Sequence, residues 1–321
     1  MTLLEKAYEH APHQAVEWVS AADRAFGSDP SQVAYNLERF SEDSIQFSRP
    51  DAYDRLRAED TPPFGLYGVG LYRSHSRGRF HAAAFVMPEL VNLPPTRGLR
   101  VASSPIMPIV RFFEASAAGP PPDGLIVVLP PPVNQAAVVQ GPIEWGTLGV
   151  PVWLGDGRAG ILTAGHVAPT VGFVVSINGV RGGTVVFASS RAGHATAEAV
   201  ADVAAIVLDD KGSNTYGLPP LLGLGNAVEL ATVRALNTSG TGSAGETVRA
   251  LLPRFAVDAQ GAWAESVIVD AAISIAGDSG SMVVDSEMRI LGQIVGGHEG
   301  AYSIFQDIDL LLAVSGTKAR L

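Results

Sequence analysis

Three short stretches carry side chains whose types suit acyl-transfer chemistry. Leu162-Thr163-Ala164-Gly165-His166-Val167 ends an apolar run in a histidine preceded by two small residues. A neutral imidazole at a cleft edge is the best general base near pH 7. In Ala201-Asp202-Val203-Ala204-Ala205-Ile206-Val207-Leu208 an acid stands directly before a wholly apolar strand. A carboxylate buried there needs a partner, and an imidazole N–H suits it. Gly277-Asp278-Ser279-Gly280-Ser281 sets a serine among glycines. Such a backbone turns tightly, with N–H groups on the side of the hydroxyl, as a tetrahedral oxyanion requires. Taken singly, each stretch has a plain structural alternative: a surface or core histidine, a turn or capping aspartate, a Gly/Ser loop. The serine loop is the most specific of the three, because the apolar strand Met282-Val283-Val284 follows it directly.

The elements that must position these residues read as short strands at regular spacing. Thr147 to Leu154 leads into the turn Gly155-Asp156-Gly157, and Gly160 to Thr163 returns. Further strands are expected at Phe173 to Ile177, Thr184 to Phe187, Val203 to Leu208, Glu265 to Val269, Met282 to Val284 and Ile290 to Val295, with a last helix over Gln306 to Leu312. Many strands with little helix argue for a barrel or sandwich. Residues 1–60 read differently, as a helical N-terminal region. Val16, Val19, Ala22 and Phe26 share a face that stops at Gly27, and Asp29-Pro30-Ser31-Gln32 then starts a second helix. A third, short helix is expected over Asp51 to Glu59. Residues 61–141 hold thirteen of the 22 prolines and read as a Pro-rich, β-containing extension and connector. Between its apolar runs, Arg73, His75, Arg77 and Arg79 read as a solvated hairpin turn.

Composition removes several classes of function. The 321 residues include no cysteine, which excludes disulfides, thiol nucleophiles and thiolate metal sites. A formal net charge of −10 argues against general binding to a nucleic-acid backbone. No H-E-x-x-H pair and no phosphate-binding glycine loop occurs, so no metal and no cofactor is expected. The start of the chain, with Glu5, Lys6 and Glu9, does not read as a signal peptide, and no run of 18 apolar residues follows. The expectation is a cytoplasmic protein without a membrane partner.

Together the three motifs resemble the trypsin/chymotrypsin superfamily of serine peptidases. A T-A-x-H box, an aspartate opening an apolar strand and G-D-S-G follow in the family's order, with 36 residues from His166 to Asp202 and 77 from Asp202 to Ser279. The α/β-hydrolases run serine, acid, histidine and need a glycine where Ser281 stands. The resemblance spans about residues 142–315 and is closer to short, cysteine-free bacterial members.

That resemblance implies a mainly β fold, two six-stranded barrels over residues 142–321, with His166 and Asp202 from the first and Ser279 from the second. It implies a serine endopeptidase in which Ser279 attacks the scissile carbonyl, His166 shuttles the proton and Asp202 orients the imidazole. The N–H groups of Gly277 and Ser279 would form the oxyanion hole. Ile273 would floor the specificity pocket, Gly297 and Gly300 would wall it, and Ser274, Ala276, Val295 and Gly296 would complete the substrate-binding surface. An isoleucine floor and glycine walls imply cleavage after an uncharged, apolar residue, with His298 and Glu299 in the loop beside the pocket. Three departures stand out. Val295 replaces a serine that donates to the triad acid, Ser281 replaces a common glycine, and Asp278 lacks a new N-terminus to pair with. Arg234 or Arg249 is the expected internal cation. Besides an active peptidase acting on polypeptides and regulated through residues 1–140, two alternatives stay open: a catalytically silent binding module, and a protease that processes only itself.

Overall fold

The computed structural model describes residues 3, 6, 66–73, 80–86, 100–102, 109–111, 125–128, 146–177, 180–190, 199–209, 221–227, 232–236, 246–258, 261–270, 273–298 and 302–321. The chain divides into two compact units, one of Met1–Pro132, Ala195–Ala199 and Val248–Ile268, the other of Val133–His194, Val200–Thr247 and Val269–Leu321. The helices expected between Val16 and Glu59 lie outside the described residues, although Leu3 and Lys6 are helical.

In the first unit, β1 (Leu66–Arg73) and β2 (Phe80–Val86) form an antiparallel pair with a bulge between Leu66 and Gly68. β3 (Arg100–Ala102), β4 (Ile109–Arg111) and β5 (Leu125–Val128) extend the sheet, β5 running parallel to β2. On the other edge, Leu71 and Tyr72 pair with Leu251 and Ala250. Trp263, Val267 and Ile268 are buried, and Leu3, buried as well, donates its N–H to Glu265 Oε2 at 2.7 Å.

The second unit is mainly β, as the sequence predicts, and holds two sheets. Its first sheet takes the order β19-β6-β7-β11-β9-β8, from β6 (Pro151–Trp153), β7 (Ala159–Thr163), β8 (Val174–Ile177), β9 (Val180–Ser189), β11 (Val203–Leu208) and β19 (Lys318–Ala319). The two-residue β10 (Ala199–Val200) leads into β11. The second sheet is built on β13 (Thr232–Leu236), β16 (Met282–Asp285), β17 (Arg289–His298) and β18 (Tyr302–Asp307), successive neighbours all antiparallel. The short β12 (Gly223–Leu224) lies parallel on β17, and Glu246 and Thr247 at the start of β14 (Glu246–Asp258) pair with β13. β15 (Gly261–Asp270) ends in this unit at Val269 and Asp270.

The apolar run after Asp202 is explained by burial on both faces of β11. Side chains alternate along a strand, so Val203 and Ala205 join one core cluster with Val150, Leu162, Met282, Val284 and Ile308. Ala204 and Ile206 join another with Ile161, Ala168 and Val185. The first cluster draws on both sheets, so the strands behind Asp202 and behind Ser279 share one core.

Local chemistry sets the ends of several elements. Between β6 and β7, Gly157 takes φ +83° and donates to Leu154 O at 2.9 Å. Asp156 in that turn accepts from the Arg158 N–H and guanidinium at 3.0 and 2.7 Å, which holds its carboxyl below the ordinary range. The last helix, α1 (Ile308–Ser315), starts two residues later than its pattern suggests, because Gln306 and Asp307 belong to β18. Asp307 is the N-cap, accepting the Asp309 N–H at 3.0 Å, and Gly316 closes the helix at φ +65°.

Candidate active site

Asp202 lies between β10 and β11 and is 1% exposed. Its Oδ1 accepts the backbone N–H of His166 at 2.8 Å, and its Oδ2 lies 2.5 Å from His166 Nδ1. An ionised carboxylate only accepts, so Nδ1 carries the proton, which leaves Nε2 as the acceptor when the ring is neutral. One carboxylate therefore fixes both the backbone position of His166 and the tautomer of its ring. His166 stands just beyond β7, where a turn closed by Val167 N–H on Ala164 O at 3.1 Å carries it off the strand end. The imidazole is 12% exposed and the carboxylate 2%, so the pair is held largely out of water. There a charge-assisted hydrogen bond is strong and a lost partner expensive.

Ser279 is buried to 8% exposure in a loop shaped by two successive turns. The first closes with Asp278 N–H on Ile275 O at 3.0 Å, and Gly277, its third residue, takes φ +91°. A positive φ at that position is the mark of a type II turn, which favours glycine. The second closes with Ser281 N–H on Asp278 O at 2.9 Å. The Asp278 carboxylate, 4% exposed, accepts the Ile275 N–H at 2.9 Å and so braces the first turn. Arg234, a cation the sequence offered for Asp278, sends its Nη2 to Met288 Sδ at 2.7 Å instead, because β13 carries it to the Met288 turn. The side chain of Arg249 is outside the described residues.

Thr147 joins the serine loop to the strand that bears the histidine. Its N–H donates to Ser279 O at 2.8 Å and its hydroxyl to Gly277 O at 3.0 Å. Its own carbonyl accepts the Thr163 hydroxyl at 2.9 Å, at the end of β7. Gly280 N–H donates to Ile294 O at 2.9 Å, fixing the loop to β17 from the other side. These residues all belong to the second unit.

A small open cleft lies beside Ser279 and is lined by Ser274, Ile275, Ile294, Gly296, Gly297, His298 and Tyr302. Of the residues expected to bind substrate, Ser274, Gly296 and Gly297 are in this lining. Ile273, 1% exposed, stands behind it, its N–H donated to Ser303 Oγ at 3.0 Å. Ser303 Oγ in turn meets Ser274 Oγ at 2.8 Å. Val295 is fully buried and outside the lining, at a bulge where the pairing of β17 with β18 shifts register between Ile294 and Gly296. Ala276 is exposed outside the lining, and Gly300 and Glu299 lie outside the described residues. His298 stacks on Tyr302 with ring centroids 6.3 Å apart and planes 19° from parallel. No described lining residue carries an acid, lysine or arginine side chain. Among the described residues no three His, Asp or Glu side chains gather as metal ligands would, and no helix is long and apolar enough to cross a membrane.

Sequence reasoning passed over Thr147, Ile275, Ile294, Tyr302 and Gln306. Gln306, fully buried on β18, accepts the Asp202 N–H at 2.6 Å and donates to Val200 O at 2.9 Å. For Thr147 and Gln306 no local signal exists, since their partners lie 130 and 104 residues away. Tyr302 and Ile275 carried a weak one, as large apolar residues beside the expected pocket.

No family model and no curated protein matches the chain. Among solved structures, a Nocardiopsis protease (NAPase) is 20% identical and covers 56% of this chain and 99% of its own, with a TM-score of 0.44. A glutamic acid-specific serine protease, described as using a histidine triad in substrate binding, is 19% identical over 56% of this chain and 98% of its own, also at 0.44. The HtrA-type protease AlgW is 16% identical over 53% of this chain and 59% of its own, at 0.31. All three of these solved structures are described as proteases, the second as a serine protease.

Proposed function

We propose that the protein is a serine endopeptidase in which His166, Asp202 and Ser279 form the catalytic triad. The observation that carries this reading is the double grip of Asp202 on His166, through the backbone N–H at 2.8 Å and the ring Nδ1 at 2.5 Å. A merely structural aspartate has no need to hold both the chain and the tautomer of one histidine. In this reading Nε2 takes the Ser279 proton as the hydroxyl attacks the scissile carbonyl, and returns it to the leaving amine. The N–H groups of Gly277 and Ser279 stabilise the tetrahedral oxyanion, and the glycine φ of +91° supports that use of the turn. Asp202 keeps its charge and stabilises the imidazolium.

The cleft beside Ser279 takes the side chain preceding the cleaved bond. Its described lining carries no acid, lysine or arginine, which supports an uncharged residue there. A panel of peptides differing only at this position tests the preference, and a strict requirement for arginine or glutamate would overturn it. The enzyme works in the cytoplasm, with residues 1–140 as its regulatory or partner-binding part. Removal of residues 1–60 is then expected to change activity or assembly, and an unchanged protein removes that role.

A serine-directed fluorophosphonate tests the central claim. Labelling of the wild-type protein that is lost in Ser279→Ala supports the enzyme. A folded wild-type protein that stays unlabelled would instead favour a silent binding module, the reading for which Val295 and Ser281 speak. Intact mass after purification separates an enzyme acting on other proteins from one that cuts only itself.

A further inference from the structure

We infer that Gln306 is a positioning residue for the triad acid, acting as a one-residue substitute for a β-strand partner. The inference rests on the peptidase reading above. Asp202 sits in the two-residue gap between β10 and β11. In extended chain the carbonyl of one residue and the N–H of the residue two further on point the same way, which is why strands exchange hydrogen bonds in pairs. Val200 O and Asp202 N–H are such a pair. The Gln306 carboxamide meets both, accepting from Asp202 N at 2.6 Å and donating to Val200 O at 2.9 Å. Only a side chain with a donor and an acceptor side by side fills this role, and a flipped amide would set oxygen against oxygen.

The consequence reaches the chemistry through Asp202. Its carboxylate holds the backbone and ring of His166, so any shift of the 200–202 segment moves the imidazole with it. The buried Val295, at the position where a serine hydroxyl was expected, has no group with which to share that task. The chain anchors its triad acid from behind, by the main chain, rather than by a hydroxyl on the carboxylate.

The test is Gln306→Met, which conserves length and volume and removes both hydrogen bonds. The rate of fluorophosphonate labelling is expected to fall between about tenfold and 100-fold, the usual cost of misplacing a catalytic group by about 1 Å. With casein as substrate, the loss falls on kcat while KM stays within about twofold. In a Ser279→Ala background, which needs no activity, the downfield proton resonance of His166 Nδ1–H is expected to broaden or move upfield when Gln306→Met is added. Should the methionine variant fail to fold, Gln306→Asn, one methylene too short to span both groups, carries the same expectations. A folded variant that labels within twofold of wild type with an unchanged resonance overturns the inference and leaves the peptidase reading intact. A wild-type protein that never labels removes that reading and this inference with it.

Discussion

Replacing Asp202 by asparagine isolates what the grip on His166 does. The backbone N–H of His166 donates to Oδ1 at 2.8 Å, so the carboxamide oxygen of the variant must occupy that position. Its NH₂ then falls where Oδ2 stood, 2.5 Å from Nδ1 in the wild type. An NH₂ only donates, so Nδ1 has to become the acceptor and the ring proton moves to Nε2. Nε2, the base of the proposed triad, is left without a lone pair and cannot accept a proton. Removal of the correct tautomer costs a triad about 10⁴ in turnover, or about 5.4 kcal/mol of transition-state stabilisation at 1.36 kcal/mol per decade. The folding cost is smaller, because one hydrogen bond survives and the other changes partner roles. A hydrogen bond to a charged group contributes about 1.5–3 kcal/mol, and part of this is recovered. Activity and stability should therefore separate. The second-order rate of fluorophosphonate labelling is expected to fall by roughly four decades while the variant unfolds cooperatively within a few degrees of wild type. Labelling within tenfold of wild type would refute the assignment of Asp202 as the group that sets the tautomer.

Three further substitutions probe the supports of the site. Thr147→Val keeps shape and both main-chain bonds but loses the hydroxyl on Gly277 O at 3.0 Å. Labelling should slow by about tenfold with a stability loss of about 1 kcal/mol, and an unchanged rate in urea-titrated, folded protein would show that the threonine does not steady the turn at Gly277. Gly165→Ala adds a Cβ that strikes Ser189 O and stands 2.9 Å from Asp202 Oδ1. Overpacking of this kind costs about 1–3 kcal/mol, so thermal unfolding should come earlier and labelling be lost, whereas a wild-type melting curve would contradict the packing. Ser281 is fully buried, and its hydroxyl has no hydrogen-bond partner among the described residues. Ser281→Ala should accordingly raise stability by about 1 kcal/mol, and a lowered Tm would mean that the hydroxyl is satisfied after all.

What was legible in the sequence follows from the range of each signal. His166, Asp202 and Ser279 announced themselves through their immediate neighbours: two small residues before the histidine, an apolar strand after the aspartate, glycines around the serine. Those neighbours are local because a strand end or a tight turn is made by consecutive residues. The strands that carry them were equally readable, β11 above all, since burial on both faces leaves no polar residue in Val203–Leu208. The end of β18 was not. Ile308, Leu311 and Leu312 repeat at helical spacing, and nothing in Gln306-Asp307 shows that the chain is still extended until Asp307 caps the helix. The strand β14 was missed over all thirteen of its residues because its apolar positions do not alternate cleanly around Pro253.

The supports of the site were the least legible, for a reason that concerns specificity rather than effort. Thr147 and Gln306 are ordinary residues in their own segments, and what makes them matter is a partner more than a hundred residues away. A hydrogen bond that spans the chain leaves its trace in two places, neither of which is unusual alone. Asp278 has a local support, since its carboxylate braces its own turn through the Ile275 N–H at 2.9 Å, three residues back. The sequence thus offers the candidate triad through local pattern, while the framework around it is written in contacts that only the folded chain brings together.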